Sequence, residues 1–125
     1  MNEQTLEGKK ILVVEDEPSN YDLIQVFLKK LKPELSWVKD GKDAVELIDQ
    51  EKFDIILMDI QLPVMNGLDA TKLIKQKDTS IPVIAQTAYA MSQDRQKALN
   101  AGCDDYLPKP MKRQHLVDLI FKHIR

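Results

Sequence analysis

The sequence predicts an α/β fold in which five parallel strands form one doubly wound sheet, with helices on both faces. Short apolar runs alternate with amphipathic helical stretches five times along the 125 residues. Three of the runs are apolar at every position, which is typical of strands that are buried on both faces. Regular alternation of strand and helix favours parallel strands joined by right-handed crossovers.

The strands are predicted from runs of β-branched and other apolar residues. The strong runs are residues 11–14, 55–58 and 83–85, and the weaker ones are residues 35–38 and 105–107. In an open sheet of this kind, ligands bind beyond the carboxyl ends of the strands. Functional side chains are therefore expected just after these runs.

The helices are predicted where apolar residues recur with helical spacing. The first and last helices show this spacing best, at Leu23, Ile24, Phe27, Leu28 and Leu31 and at Leu116, Val117, Ile120, Phe121 and Ile124. Shorter helices are predicted after Gly41 and after Gly67. Residues 92–101 are helical by composition, with Ser92 as the predicted N-cap. The apolar face of this helix is little more than Ala98 and Leu99, so we expect it to be held loosely.

Composition limits the class of protein. Lys plus Arg is 18 and Asp plus Glu is 20, so the net charge of −2 gives no electrostatic case for a nucleic-acid partner. The single cysteine, Cys103, excludes an internal disulfide and a multi-thiolate metal site. No apolar run approaches the ~18 residues of a membrane span, and the N-terminus lacks the apolar stretch of a signal peptide. We expect a cytoplasmic protein without direct membrane contact.

The chain is long enough for one domain. Residues 1–8 are polar and unpatterned and are expected to be a tail or linker, while residues 9–125 form the domain. The sequence is compatible with a monomer or a weak dimer.

Polar side chains follow four of the predicted strands. Glu15 and Asp16 follow the first, Asp59 the third, Thr87 the fourth and Lys109 the fifth. A single carboxylate after a strand is usually a solvated loop residue or a helix cap. Here the carboxyl ends of the strands share one edge of the sheet, so the five side chains are expected to converge.

This combination predicts a metal-assisted phosphoryl site. Two carboxylates ~5 Å apart repel by ~3 kcal/mol at an effective dielectric constant of ~20, so such a cluster holds a proton or a cation. Oxygen ligands without His or Cys favour Mg2+. Lys109 and Thr87 can neutralise and hydrogen-bond phosphoryl oxygens. Asp59, at a strand end, is the predicted nucleophile, which would form an aspartyl-phosphate.

Four stretches of sequence contain these residues with their neighbours. They are residues 11–17 (ILVVEDE), 58–67 (MDIQLPVMNG), 86–88 (QTA) and 105–110 (DYLPKP). In these stretches the chain resembles the receiver domain of response regulators in two-component signalling, from about residue 10 to residue 125. MDIQLPVMNG and AGCDDYLPKP are similar to receivers of hybrid sensor histidine kinases. The resemblance implies a (βα)5 sheet with the flavodoxin-like strand order 2-1-3-4-5.

The resemblance also implies roles for the acidic residues. Asp59 would accept a phosphoryl group from a phosphohistidine of a histidine kinase or histidine phosphotransfer domain. Asp16, Asp59 and the backbone carbonyl of Gln61 would bind Mg2+, with Glu15 helping directly or through water. Asp is commoner than Glu at position 15, and the longer side chain of Glu15 would shift its metal contact from direct to water-mediated. Gln61 and Tyr89 lie where this family sets its rate of dephosphorylation.

A second group of implied roles concerns the conformational switch. Thr87 and Lys109 would contact the phosphoryl group, and the ring of Tyr106 would turn inward when Thr87 moves. The family usually has a cis peptide bond at Lys109–Pro110, a geometry that only X–Pro bonds adopt at low cost. The C-terminal half of the domain would carry the change to partners.

The expected function is therefore a phosphoacceptor module and not an enzyme with turnover, although it would dephosphorylate itself. A receiver of a hybrid histidine kinase is preferred, and a stand-alone response regulator is the alternative. An aspartyl-phosphate hydrolase would need a second acid at position 61, where the chain has Gln61. A receiver-like scaffold that is never phosphorylated would be expected to have lost Asp59 or Lys109, and both are present. Nucleotide binding is disfavoured because neither GxGxxG nor GxxxxGK[ST] occurs.

Three further residues invite functional interpretations. His115 and His123 are interpreted as residues of a solvated helix face, and Cys103 as a small packing residue.

Overall fold

The computed structural model describes residues 4–87 and 92–124 of the chain. Its strands are β1 (Lys10–Val14), β2 (Glu34–Val38), β3 (Ile55–Asp59), β4 (Val83–Thr87) and β5 (Asp105–Pro108). Its helices are α1 (Pro18–Leu28), α2 (Gly41–Leu47), α3 (Gly67–Lys77), α4 (Ser92–Ala101) and α5 (Arg113–His123). A single 3-10 turn, Lys29–Leu31, extends α1. The predicted alternation of strand and helix is confirmed.

All neighbouring strands pair in parallel, in the order β2-β1-β3-β4-β5. The predicted strand order is therefore confirmed, with the switch point between β1 and β3. Registers along the sheet pair Val14 with Met58 and Asp59 with Gln86. These registers bring the carboxyl ends of β1, β3 and β4 to one edge.

The sheet separates two apolar cores. Alternate residues of β1 enter each, Ile11 and Val13 the first and Leu12 and Val14 the second. The helices contribute Ile24, Leu28, Leu116 and Ile120 to the first core and Ala70, Ile74 and Ala98 to the second. Burial on both faces explains why the central strands are apolar at consecutive positions.

Two helices begin at side-chain caps. Asp40 accepts a hydrogen bond from the Asp43 N–H (2.8 Å) at the start of α2, and Asn66 accepts one from the Asp69 N–H (2.9 Å) at the start of α3. Such caps satisfy donors that the first turn of a helix leaves free. Helix α1 instead begins with Pro18, whose missing N–H costs nothing at that position.

Helix α3 begins directly against the end of β3. A Cβ atom added to Gly67 would lie 2.0 Å from the carbonyl oxygen of Asp59, a distance that no side chain tolerates. The Gly67 N–H donates to the carbonyl of Ile60 (2.9 Å). Glycine at this position therefore lets α3 pack close behind Asp59.

Some apolar residues lie elsewhere than expected. Leu23 is 37% exposed and Leu99 is 40% exposed, so neither belongs to the buried face predicted for its helix. Helix α4 is instead anchored by two small residues, Ala98 and Ala101, both buried. Ser92 begins α4, but its side chain lies outside the described residues.

The N-terminal segment is partly packed. Leu6 is buried in the first core, and its N–H donates to the carbonyl of Leu31 (2.7 Å). Leu6 therefore does not belong to a free tail, because its side chain is buried against the domain. The expected boundary between residues 8 and 9 remains a prediction.

The interpretation of His123 is wrong. Its Nε2 lies 2.7 Å from Asp105 Oδ2, and its side chain is only 19% exposed. The carboxylate comes from β5, eighteen residues earlier in the chain, so helix periodicity could not reveal it. His115 is exposed, as expected, and Cys103 is buried with its Sγ 3.7 Å from Thr71 Oγ1.

Within the part of the chain that the structure describes, every helix is too short or too polar to cross a membrane.

Candidate functional site

Three carboxylates meet at the carboxyl edge of the sheet. Glu15, Asp16 and Asp59 each offer one oxygen, and these oxygens all lie within 4.8 Å of one another. Glu15 and Asp59 are buried, whereas Asp16 is exposed. The convergence predicted from the sequence is therefore present for all three acids.

Asp59 is the last residue of β3, and its carboxylate accepts hydrogen bonds from one backbone N–H and one lysine. The Gln61 N–H donates to Asp59 Oδ1 (3.0 Å), and Lys109 Nζ donates to Asp59 Oδ2 (3.1 Å). The turn after β3 thus places the backbone of Gln61 beside the carboxylate. Gln61 itself is exposed to solvent.

Glu15 is fully buried and has several donors. The Glu17 N–H donates to Glu15 Oε2 (3.1 Å), while Asn20 Nδ2 and Lys109 Nζ (3.3 Å) both donate to Glu15 Oε1. Its backbone is also fixed, because the indole N–H of Trp37 donates to the Glu15 carbonyl (2.7 Å). Trp37 is itself stacked on Tyr21, with ring centroids 4.3 Å apart.

Lys109 bridges the two buried carboxylates and is tied to the neighbouring strand. Its Nζ pairs with both Glu15 and Asp59, and its N–H donates to the Thr87 carbonyl (2.8 Å). The Lys109–Pro110 peptide bond is cis, as the family resemblance implied. One residue thus connects the ends of β1, β3, β4 and β5.

The pKa values reflect this crowding. Burial, together with the negative charge of Glu15, raises the pKa of Asp59 from 3.8 to about 6, even though Lys109 and the Gln61 N–H act in the opposite direction. Burial also acts to raise the pKa of Glu15, but hydrogen bonds from the Glu17 N–H and Asn20 and the charge of Lys109 hold it below its usual value. Burial acts to lower the pKa of Lys109, and the two carboxylates more than reverse this.

The donor set fits a hard divalent cation. Three carboxylate oxygens close to one another, with one carboxylate open to solvent, match the preference of Mg2+ for oxygen ligands and retained waters. Lys109 offsets only part of the negative charge of the three acids. A bound cation would supply the remaining compensation.

The predicted switch residues flank this cluster. Thr87 is buried at the end of β4, one residue beyond Gln86, which pairs in register with Asp59. Tyr106 lies half-buried on β5. Burial and the charge of Asp94 on α4 raise the pKa of Tyr106, so its hydroxyl lies within electrostatic reach of that helix. Tyr89 lies outside the described residues.

Sequence reasoning missed two amides beside the acids. Asn20, in the first turn of α1, contacts Glu15, and Gln86 lies fully buried in β4. A polar residue within the apolar run of β4 is a signal that could have identified Gln86. The role of Asn20 leaves no comparable signal, because a polar residue in a first helical turn is usually solvated.

Comparison with known proteins identifies the family. The family model for the response regulator receiver domain matches residues 11–121. The sensor protein GacS of Pseudomonas syringae pv. syringae is 37% identical over 118 residues, which cover 90% of this chain. The matched region is 13% of the length of GacS, so the chain spans a small part of this relative.

Two solved structures have the same fold. The receiver domain of the sensor histidine kinase PA1611 from Pseudomonas aeruginosa PAO1, which has a magnesium ion coordinated in its active site cleft, is 40% identical with a TM-score of 0.86. The match covers 93% of this chain and 97% of that one. The second is the receiver domain of the Saccharomyces cerevisiae response regulator Ssk1, which was crystallised with the histidine phosphotransfer protein Ypd1. It is 31% identical with a TM-score of 0.86, and the match covers 92% of this chain and 88% of that one.

Proposed function

The chain belongs to the response regulator receiver domain family, and on that premise we propose that Asp59 accepts a phosphoryl group from a phosphohistidine. The family is a signalling module, so the product of the reaction is the modified protein itself. The observation that carries the proposal is the pairing of Lys109 with the buried carboxylate of Asp59 at 3.1 Å, beside two further acids. A buried acid held next to a cation and a metal-binding cluster is suited to phosphoryl transfer.

The reaction forms one bond and breaks another. An oxygen of the Asp59 carboxylate attacks phosphorus, the O–P bond forms, and the P–N bond to the donor imidazole breaks with its electron pair leaving on nitrogen. The Gln61 N–H at Asp59 Oδ1 orients the carboxylate and leaves Oδ2 toward Lys109. Lys109 then pairs with phosphoryl oxygens, as does the hydroxyl of Thr87.

Glu15, Asp16, Asp59 and the backbone carbonyl of Gln61 are the proposed ligands of Mg2+, with Glu15 direct or through water. When bound, Mg2+ neutralises charge on the phosphoryl oxygens. The proposal draws support from the convergence of the three carboxylates and from the magnesium bound by the PA1611 receiver.

Phosphorylation replaces one carboxylate charge by roughly −1.5 to −2 and adds strong acceptors. Thr87 and Lys109 are drawn to them, and their main chains are already linked by the hydrogen bond from the Lys109 N–H to the Thr87 carbonyl. Tyr106 and helix α4 follow this movement in the proposed switch. Loss of the phosphoryl group by hydrolysis, assisted from the position of Gln61, resets it.

The experiment that tests the phosphoacceptor role is intact-mass spectrometry after incubation with acetyl phosphate and Mg2+. We expect the mass of one phosphoryl group on the native protein and none on Asp59→Asn. Asp22→Asn, which changes an exposed acid of α1, is the matched control and should still be labelled. An unmodified native protein, or a labelled Asp59→Asn variant, would contradict the proposal.

The proposed donor is a histidine phosphotransfer domain or a histidine kinase, and the proposed parent protein is a hybrid histidine kinase in the cytoplasm. The similarity to receivers of sensor histidine kinases supports this, and a stand-alone response regulator is the alternative. Phosphotransfer to this chain from a labelled phosphotransfer protein and from a labelled kinase core distinguishes the donors. A hybrid receiver should exchange phosphoryl groups with the phosphotransfer protein in both directions.

A further inference from the structure

Two amides, the buried Gln86 and the half-buried Asn20, begin a series of polar contacts that ends at the phosphoacceptor. Gln86 Oε1 lies 3.4 Å from Asn20 Nδ2, and the same nitrogen donates to Glu15 Oε1. Glu15 Oε1 is 3.3 Å from Lys109 Nζ, which is 3.1 Å from Asp59 Oδ2. These contacts connect Gln86 of β4, through Asn20 of α1, to Glu15, which directly follows β1.

The charge of Glu15 determines how both amides are oriented. An amide NH2 group has two hydrogens and no acceptor capacity, whereas the amide oxygen only accepts. The carboxylate of Glu15 therefore requires the NH2 group of Asn20 to face it, and the second hydrogen of that group requires the oxygen of Gln86. Rotation of either amide by half a turn would place two donors or two acceptors against each other.

This orientation leaves the NH2 group of Gln86, with both of its hydrogens, unsatisfied among the described residues. Gln86 is fully buried, and its Nε2 has no hydrogen-bond partner among residues 4–87 and 92–124. An unsatisfied buried donor destabilises a fold, and an apolar side chain of similar size in this core position would avoid the problem. The presence of an amide is thus not explained by stability.

We infer that Asn20 and Gln86 are positioning residues for the phosphoacceptor site: the Gln86 oxygen fixes the Asn20 amide, which holds the Glu15 carboxylate in place for Lys109 and for Mg2+. The inference rests on the proposed function. Without this pair, the Glu15 carboxylate would keep only the Glu17 N–H and Lys109 as donors, and its orientation would be less fixed. Cation binding and phosphorylation would then both become weaker.

The test measures Mg2+ affinity and stability separately in the whole chain. The variants are Asn20→Ala, Gln86→Leu and the double variant, with Gln86→Met as a second apolar replacement should Gln86→Leu fail to fold. Gln25→Leu, an exposed amide on α1, is the matched control. The readouts are calorimetric titration with Mg2+, fluorescence of the single tryptophan, whose indole contacts the Glu15 carbonyl, and urea denaturation.

We expect Gln86→Leu to raise the apparent Kd for Mg2+ by about three- to tenfold, the loss typical of one hydrogen bond between neutral groups, while its urea midpoint stays the same or increases. Because Gln86 acts through Asn20, the double variant should bind Mg2+ no more weakly than Asn20→Ala alone. A purely structural role predicts the opposite, a lower urea midpoint with unchanged affinity.

Native affinity in the Gln86→Leu and Gln86→Met variants would overturn the inference, as would additive losses in the double variant. Either result leaves the phosphoacceptor proposal intact provided that the native protein binds Mg2+ and is labelled by acetyl phosphate. Failure of the native protein in both respects would overturn the proposed function and this inference together.

Discussion

At the residue scale, the site is governed by an excess of negative charge. Lys109 contacts two buried carboxylates, Glu15 and Asp59, and can neutralise only one of them. The pKa values divide accordingly, with Glu15 held below its usual value by its hydrogen bonds and Asp59 raised to about 6 by burial and by Glu15. When both carboxylates are ionised they repel each other, and a bound cation would reduce that repulsion.

The raised pKa of Asp59 predicts that Asp59→Asn stabilises the protein at neutral pH without Mg2+. The native state retains a proton that the unfolded chain releases between pH 4 and 6, so the free energy of unfolding falls as the pH rises through this window. We expect Asp59→Asn to increase the free energy of unfolding by about 1–2 kcal/mol at pH 7.5, and by less at pH 4.5. Urea denaturation at both pH values measures this.

Excess Mg2+ is the control for this prediction, because cation binding removes the repulsion that the Asn variant avoids. The two proteins should then become closer in stability. A variant that is less stable than the native protein at pH 7.5 in the absence of Mg2+ would show that the Asp59–Lys109 pair outweighs the repulsion.

At the element scale, close packing of helix starts and strand ends positions the site. Helix α3 begins within contact of Asp59 because Gly67 has no side chain, and the end of α5 is joined to the start of β5 by His123 and Asp105. Each contact joins residues from different elements. Each can be tested by one substitution.

Gly67→Ala is expected to destabilise the protein by about 3 kcal/mol, because its methyl group would overlap the Asp59 carbonyl and the chain would have to move. Denaturation by urea gives the stability change, and Mg2+ titration shows whether the displaced backbone impairs the site. Lys72→Ala, at an exposed position of α3, should change stability by less than about 0.5 kcal/mol. Equal effects of the two substitutions would refute the close-packing argument.

Asp105→Asn tests the contact between α5 and β5. Burial acts to raise the pKa of Asp105, but hydrogen bonds from His123 and the Tyr106 N–H, with the charges of His123 and Lys122, hold it below its usual value. The ionised carboxylate therefore stabilises the fold above about pH 4, and this contribution is lost as the pH falls through the lowered pKa. We expect a loss of about 1 kcal/mol at pH 6 that shrinks below pH 4.

Thermal unfolding across this pH range, with Asp118→Asn on the exposed side of α5 as control, measures the difference. A loss that is the same at pH 3 and pH 6 would mean that the ionised carboxylate is not the cause.

At the scale of the whole molecule, the helices are anchored unequally. Helices α1 and α5 bury large side chains such as Ile24, Leu28 and Ile120, whereas α4 is anchored by Ala98 and Ala101. Helix α4 follows β4, whose end carries Thr87, and the charge of its Asp94 acts on Tyr106 by raising the pKa of that side chain. Helix α4, whose described buried side chains are small, thus lies next to the proposed switch residues.

Phosphorylation is therefore expected to change the amide chemical shifts of Thr87, of α4 and of β5 more than those of β2 and α2. The physical reason is that small buried side chains give α4 little apolar surface to hold it in one position, whereas α2 also packs the half-buried Val45 and Leu47 against the core. NMR spectra with and without acetyl phosphate in the presence of Mg2+ measure this, and the native protein with Mg2+ but no acetyl phosphate reports the effect of Mg2+ alone. Shifts of equal size over the whole sheet would contradict a localised switch.

The sequence by itself determined the alternation of strands and helices, because strands buried on both faces and amphipathic helices leave different periodicities. It also identified the residues at the carboxyl edge, since Glu15, Asp16, Asp59, Thr87 and Lys109 each follow a recognisable apolar run. Their expected convergence agrees with the observed positions of the acids and of Lys109.

Only the tertiary structure decided which side chains from distant segments meet. The contact of Gln86 with Asn20 joins residues 66 positions apart. His123 of α5 contacts Asp105 of β5, eighteen positions earlier in the chain. The burial of Leu6 and the exposure of Leu99 also depend on which elements happen to be neighbours. Periodicity reports the face on which a residue lies, but a partner is selected by packing between elements, which local sequence does not encode.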